Sequence, residues 1–163
     1  MRHSLFLRNE TRRAVSFISE EQRMSEYSSG AHCVFYHRYH IVWCTKYRYK
    51  VLSQELKIRA RVIIRQVCQE LGVEIHKGVL ASDHVHMFLS VPPKLSISYV
   101  MQRIKGRSSR RLQQEFPALR KQYWGCHFWA RGYFCTTSGN VTDDIIENYL
   151  ELHSKRDATG VSQ

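Results

Sequence analysis

The sequence predicts an α+β fold, a single antiparallel sheet backed by two long helices. Three observations carry this. Short runs rich in β-branched and aromatic residues occur four times; apolar residues recur at spacings of three and four in two longer runs; and the two kinds follow one another as β-α-β-β-α-β, with one more helix after the last strand. A length of 163 residues and an apolar content of 43% are enough for one core.

Residues 1–31 mix arginine, serine and glutamate around a brief apolar patch and end in Ser28-Ser29-Gly30, so they read as a loosely held extension, with the domain proper over 32–163. The run from Cys33 to Cys44 is the first strand, with Phe35, Tyr39, Ile41 and Trp43 on one parity. Ser53 caps a helix whose stripe is Leu56, Ala60, Ile63, Ile64, Val67 and Leu71, closed by Gly72. Val73 to Leu80 and His84 to Val91 are the second and third strands, the latter stopped by Pro92-Pro93. Ser96 caps a second helix with a stripe of Ile97, Val100, Met101, Ile104, Leu112 and Phe116. A turn over Pro117 to Gly125 leads to an aromatic fourth strand, His127 to Thr137, in which His127, Trp129 and Arg131 share a face with a core or interface role, while Phe128 to Phe134, if exposed, offers a seam for a partner copy. Thr142, Asp143 and Asp144 open a last helix through Tyr149 to His153, because carboxylates suit the positive end of the helix dipole. The first six elements form a ferredoxin-like arrangement.

There is no apolar stretch long enough to span a bilayer and no signal-peptide pattern, so we expect a soluble cytoplasmic protein, associated with the nucleoid. Five scattered cysteines without a C-x-x-C pair argue for reduced thiols. Of the net charge of +11, only +1 falls on residues 1–31 and +10 on the domain. A domain with a pI near 9.7 seeks polyanions, nucleic acid above all.

The most informative local feature is Asp83-His84-Val85-His86. On a strand, His84 and His86 leave from one face while Val85, Met87, Leu89 and Val91 line the other, and two adjacent imidazoles are half a metal site. Tyr149 and His153, four apart on a helix, project from one side and would add a nucleophile and a third ligand. From the residues alone the plainer alternative stays open: Tyr149 packs with Ile145 and Ile146, and His153 neutralises a helix C-terminus. Neither the H-x-E with P-C-x-x-C of deaminases nor the H-E-x-x-H of zincins occurs, and there is no P-loop.

The stretch Tyr39-His40-Ile41-Val42-Trp43-Cys44-Thr45-Lys46-Tyr47-Arg48-Tyr49-Lys50-Val51-Leu52, the Asp83-His84-Val85-His86 motif, Lys105-Gly106-Arg107-Ser108-Ser109 and the late helix with Tyr149 together resemble the single-tyrosine transposases of the IS200/IS605 insertion-sequence family, colinearly over residues 32–155. That resemblance implies a nuclease of the histidine-hydrophobic-histidine class, which cuts and rejoins hairpin-bearing single-stranded DNA through a 5′-phosphotyrosine. It implies Tyr149 as nucleophile, His84 and His86 as ligands of Mg²⁺ or Mn²⁺, and a homodimer whose tyrosine helices complete each other's sites. Two positions depart from the family pattern. His153 stands where glutamine is usual as a further ligand, which favours a softer ion than Mg²⁺, and Thr45 stands where proline is common.

Two basic groups suit a nucleic-acid strand. Arg103, Lys105, Arg107, Arg110 and Arg111 crowd the second long helix, with Arg103, Arg107 and Arg110 on one face. Lys46, Arg48 and Lys50 alternate with Tyr47 and Tyr49, pairing phosphate contacts with surfaces for base stacking. The rivals are a noncatalytic nucleic-acid-binding module of the same fold and a host relative that cleaves palindromes.

Overall fold

The computed structural model describes residues 28–29, 34–137 and Tyr149. The chain divides into two compact units, 1–36 and 37–163. In the first, β1 (Ser28–Ser29) pairs antiparallel with β2 (Val34–Phe35). The second holds β3 (Arg38–Cys44), α1 (Gln54–Leu71), β4 (Glu74–Leu80), β5 (His84–Ser90), α2 (Ile97–Glu115), α3 (Pro117–Gln122) and β6 (Phe134–Thr136).

The four strands of the second unit form one antiparallel sheet in the order β4-β5-β3-β6. This is the ferredoxin-like order expected from the sequence, with the histidine strand β5 between β3 and β4. The first strand begins at Arg38 and is separate from the Val34–Phe35 pairing, so the predicted run from Cys33 is two elements.

Both long helices start and stop for local reasons. The Ser53 hydroxyl accepts a hydrogen bond from the Leu56 N–H at 3.3 Å, and Ser96 does the same for Tyr99 at 3.2 Å, each satisfying an amide that the first turn leaves without a partner. At the end of α1, Gly72 takes φ = 68° and its N–H reaches back to the Cys68 and Gln69 carbonyls, a left-handed cap that a side chain would strain.

The core lies between the sheet and the two long helices. Ile41 and Trp43 from β3, and Val85 and Leu89 from β5, are fully buried against the stripe of α1 (Leu56, Ala60, Ile63, Ile64, Val67, Cys68) and that of α2 (Val100, Met101, Ile104, Leu112). The predicted end residues Leu71, Ile97 and Phe116 are only partly buried. One buried position on α2 is polar. The Ser108 hydroxyl donates to the Ile104 carbonyl at 2.6 Å and accepts from Trp129 Nε1 at 2.9 Å, so a small residue in the stripe admits an indole from 21 residues further along the chain. On the outer side of the helix pair, Arg59 pairs with Glu115 and Arg107 with Glu70, tying α1 to α2.

Two expectations change near the C-terminal end. Pro117 to Gln122 is a short helix, α3, where a turn was expected; proline at the first helical position lacks only an N–H that would have no helical partner there. The predicted fourth strand is broken. Trp129 bridges Thr45, the chain leaves the ladder, Gly132 turns at φ = 78°, and pairing resumes over Phe134–Thr136. Phe128 and Trp129 are buried at 0% and 3% exposure, so this part of the run is core and not an exposed seam. The reason is the Ser108 contact and the edge-to-face packing of Trp129 on Trp43, with ring centroids 6.0 Å apart.

Ile104→Ala would leave a cavity where α2 meets the sheet. We expect a loss of about 2–5 kcal/mol, seen as a lower urea midpoint with an unchanged slope.

Candidate active site

Alternation along the strands sorts the sheet into two faces. Tyr39, Ile41 and Trp43 of β3, with Val85, Met87 and Leu89 of β5, turn toward the helices. Arg38, His40, Val42 and Cys44, with His84, His86, Phe88 and Ser90, therefore turn to the other face. The register places Cys44 opposite His84, Val42 opposite His86 and His40 opposite Phe88. The sequence-predicted common facing of His84 and His86 follows from the regular pairing of β5 on both sides.

Each histidine has a defined partner. His84 Nδ1 lies 2.8 Å from Asp83 Oδ1. His86 Nε2 lies 3.3 Å from His40 Nδ1, with ring centroids 5.5 Å apart. His40 stacks on Phe88 at 4.3 Å and 20°, Phe88 meets His76 at 5.2 Å, and His76 Nε2 is 2.6 Å from the Ser90 hydroxyl. A row of rings thus crosses three strands. Burial lowers the pKa of His40 and favours its neutral form.

Asp83 carries more than its histidine. Its side chain is 8% exposed, and Oδ2 accepts from Arg48 Nε at 3.0 Å and from Nη2 at 2.6 Å. Burial opposes the carboxylate charge, but the hydrogen bonds and charges of Arg48 and His84 together outweigh it and hold the group below the ordinary carboxylate value. Thr45, fully buried, donates its N–H to the Asp83 carbonyl at 2.8 Å, and its hydroxyl lies 2.8 Å from the Tyr49 carbonyl and 3.2 Å from that of Asp83. Proline, the residue common here in the family that the sequence resembles, could make neither kind of bond. These contacts pin a 3-10 turn at Lys46–Arg48 whose Tyr47 and Arg48 sit at φ of 60° and 52°, a left-handed backbone that costs side-chain-bearing residues on the order of 1–3 kcal/mol each.

Tyr149 is the one described residue of the predicted last helix. Its half-buried ring lies 5.7 Å from that of Phe134 and packs on the cluster of Val42, Cys44 and Ala130. Val42 and Cys44 are the residues paired with His86 and His84. The phenol is therefore seated on the histidine face, over the strand next to β5. His153 lies outside the described residues, and among those described no group of three or more His, Cys, Asp or Glu side chains is gathered as metal ligands. The two imidazoles nonetheless suit a divalent ion: they are neighbours on one face, and a hydrogen-bond partner orients each ring.

The predicted basic residues separate into groups. Arg48 is committed to Asp83 and Arg107 to Glu70. Lys105 donates to the carbonyls of Ala130 and Gly132 at 2.8 and 2.5 Å, which holds the broken segment before β6; burial pulls its pKa down to about 8. Exposed positions remain at Lys50, Arg103, Arg110 and Arg111, with Lys46 half-buried and its amine 4.9 Å from the centre of the Tyr47 ring. Arg103, Arg110 and Arg111 stand on α2, in the layer behind the sheet from the histidines. Tyr47 and Tyr49 expose 41% and 45% of their surface, enough to receive a base.

The sequence reading missed His40 and the structural work of Asp83 and Lys105. His40 was findable in part. It shares parity with Val42 and Cys44, so it had to face away from the helices; that it meets His86 depends on strand order. Lys105 gave no sequence signal distinct from the arginines around it.

The profile of the IS200-like transposases matches residues 33–153. The chain is 35% identical over 137 residues to the transposase of insertion sequence element IS200 from Salmonella typhimurium, covering 84% of this chain and 90% of that one. It is 32% identical over 126 residues to the ISDra2 transposase TnpA of Deinococcus radiodurans, covering 77% and 90%. A crystal structure of a transposase from Deinococcus radiodurans superposes with a TM-score of 0.72 at 31% identity, over 77% of this chain and 97% of the other. A REP-associated tyrosine transposase bound to a REP hairpin shares the fold, with a TM-score of 0.50 at 14% identity over 74% and 68%. The chain belongs to the IS200-like transposase family. Among the described residues no helix is long and apolar enough to cross a membrane.

Asp83→Asn should remove the charged partner of Arg48 and His84 and lower stability by about 1–3 kcal/mol at neutral pH, measured by urea unfolding. For Lys105, the folded chain releases a proton at about 8 and the unfolded chain near the ordinary lysine value of 10.5. Across that window the unfolded state binds more protons, so stability from this group rises with pH. Unfolding midpoints of the wild type should rise with pH relative to those of Lys105→Met between these values.

Proposed function

We propose that this transposase cleaves and rejoins hairpin-bearing single-stranded DNA through Tyr149, assisted by a divalent ion at His84 and His86. The observation that carries the reading is the seat of Tyr149 on the residues paired with the two histidines. His153 would join the ligands, and the two described imidazoles accept Mn²⁺ more readily than Mg²⁺. When bound, the ion polarises the scissile phosphate and offsets its charge.

The rest is the work of the chain. The Tyr149 oxygen attacks phosphorus, the bond from phosphorus to the 3′-oxygen breaks, and the upstream fragment leaves with a 3′-hydroxyl while the downstream fragment stays joined to the tyrosine through its 5′-phosphate. The phenol proton passes to a base and the departing oxygen takes up a proton, so no nucleotide cofactor is consumed. Attack by a 3′-hydroxyl on the phosphotyrosine reverses the bond changes and rejoins DNA. A tyrosine hydroxyl with a reference pKa near 10 is mostly protonated at neutral pH, so the reaction requires that base. Asp83 orients His84 and keeps its charge in the buried turn. Lys46, Lys50, Tyr47 and Tyr49 would bind the strand by phosphate contact and stacking, with Arg103, Arg110 and Arg111 available to further phosphates. Hairpin recognition and a homodimer with sites completed across subunits belong to the same proposal. The hairpin bound by the REP-associated protein is in keeping with this substrate class.

Incubation with hairpin-bearing single-stranded DNA and Mn²⁺ should give a protein–DNA adduct that survives denaturation. Tyr149→Phe should form none. Chelation should suppress it, and His84→Ala should lower its yield by at least the roughly 10–100-fold that loss of an outer-shell metal partner costs. Retained DNA binding with no adduct under any of these conditions would instead support a noncatalytic module.

A further inference from the structure

We propose that Trp124 joins Tyr47 and Tyr49 in one stacking surface for the unpaired bases of a DNA strand. The proposal rests on the reading of this chain as a binder of single-stranded DNA and adds to it a second segment, distant in sequence from the Lys46–Arg48 turn. It does not depend on cleavage at Tyr149.

The fold bonds these two segments to each other. The Lys46 N–H donates to the Phe128 carbonyl at 2.9 Å, and the Tyr123 hydroxyl lies 3.5 Å from the Lys46 carbonyl. The buried Tyr123 ring is 6.1 Å from that of Tyr49 and 5.3 Å from that of Phe128. Trp124 follows Tyr123 directly, so its backbone is fixed beside the turn. The chain reverses at this point: the Trp124 N–H donates to the Lys121 carbonyl at 3.4 Å, Gly125 takes φ = 66°, and the Cys126 N–H donates to the Tyr123 carbonyl at 2.8 Å. A ring carried on backbone that is ordered before binding has less freedom to lose when a base stacks on it.

Exposure and charge then point to the occupant. Trp124 is 76% exposed, beside Tyr47 at 41% and Tyr49 at 45%. A single apolar ring on a surface needs no explanation, but three rings on two mutually bonded segments leave open an apolar area that a partner would gain by covering. Tyr47 is presented on strained, left-handed backbone that the bonds of Thr45 and Arg48 to Asp83 hold in place. Its ring is 5.4 Å from that of Tyr49 and 4.9 Å from the Lys46 amine. The charge around the rings is of one sign. Lys50 and Lys121 are exposed, and neither residues 45–53 nor residues 117–128 contain an aspartate or glutamate. Asp83, which touches the turn, is buried and balanced by Arg48 and His84. Rings among cations suit a polyanion with accessible base faces, and single-stranded DNA offers them, whereas bases inside a duplex already stack on one another.

Indole fluorescence of the full chain tests this directly, because Trp43 and Trp129 are buried at 0% and 3% exposure and Trp124 is the tryptophan that meets solvent. Oligothymidylate should quench the long-wavelength emission, and a strand of the same length made abasic throughout should not, although it carries the same phosphates. Trp124→Ala should weaken oligothymidylate binding by about 5–150-fold, the usual loss at a stacked ring, and leave the slope of affinity against salt unchanged, since no phosphate contact is removed. Trp124→Phe, which keeps an aromatic face, should restore most of that affinity. The proposal is overturned if Trp124→Ala binds oligothymidylate as the wild type does, if Trp124→Phe binds no better than the alanine variant, or if the wild type binds no oligothymidylate. It is also overturned if the abasic strand, or a blunt hairpin without single-stranded flanks, quenches as strongly, since the ring would then answer to phosphates or to the stem. Quenching and loss of affinity as expected, with no adduct from hairpin-bearing DNA and Mn²⁺, would refute cleavage while upholding the stacking surface; an adduct without quenching would do the reverse.

Discussion

The buried carboxylate of Asp83 is the point on which the site's geometry depends. One oxygen holds His84 and the other holds Arg48, while the backbone carbonyl of the same residue receives Thr45. Three segments distant in sequence meet there: the end of β3, the left-handed turn after it and the start of the histidine strand. A carboxylate out of water is costly unless its charge is balanced and its oxygens are bonded, so the arrangement is cooperative. If Arg48 lets go, the charge is left poorly compensated; if Asp83 is neutral, both the strained turn and the orientation of His84 lose support.

A division of labour among the cations follows. In a chain of net charge +11 the arginines and lysines look alike in sequence, yet the fold commits several to internal tasks. Arg48 balances Asp83, Arg59 and Arg107 tie α1 to α2, and Lys105 holds the carbonyls of a broken strand. These ion pairs leave the net charge unchanged, but the cations exposed to a polyanion are fewer and more localised than composition suggests. The exposed tyrosines beside Lys46 and Lys50 share the Asp83-anchored turn, whereas the free arginines of α2 lie behind the sheet.

The two sheet faces solve different problems. The helix-facing side is filled by branched and aromatic residues and supplies most of the core. The other side is graded across its strands: near β6 it is covered by Tyr149 over Val42, Cys44 and Ala130, and along β5 it carries the histidines and the ring row. The Tyr149 phenol and two imidazoles can occupy one face because the opposite face satisfies the fold.

Local patterns determined much of this protein in advance. Periodicity and caps gave the two long helices nearly to the residue, since Ser53, Gly72 and Ser96 act on amides and carbonyls within a turn of themselves. Alternation likewise put His84 and His86 on one face, because that is a property of any strand. What only the tertiary structure decided involves partners far apart in the chain. The meeting of His40 with His86, the burial of Trp129 against Ser108, the capture of Lys105 by two carbonyls and the placing of Tyr149 beside the histidine strand all depend on strand order and register. Those are fixed by the summed packing of the core, and no short stretch of sequence encodes them.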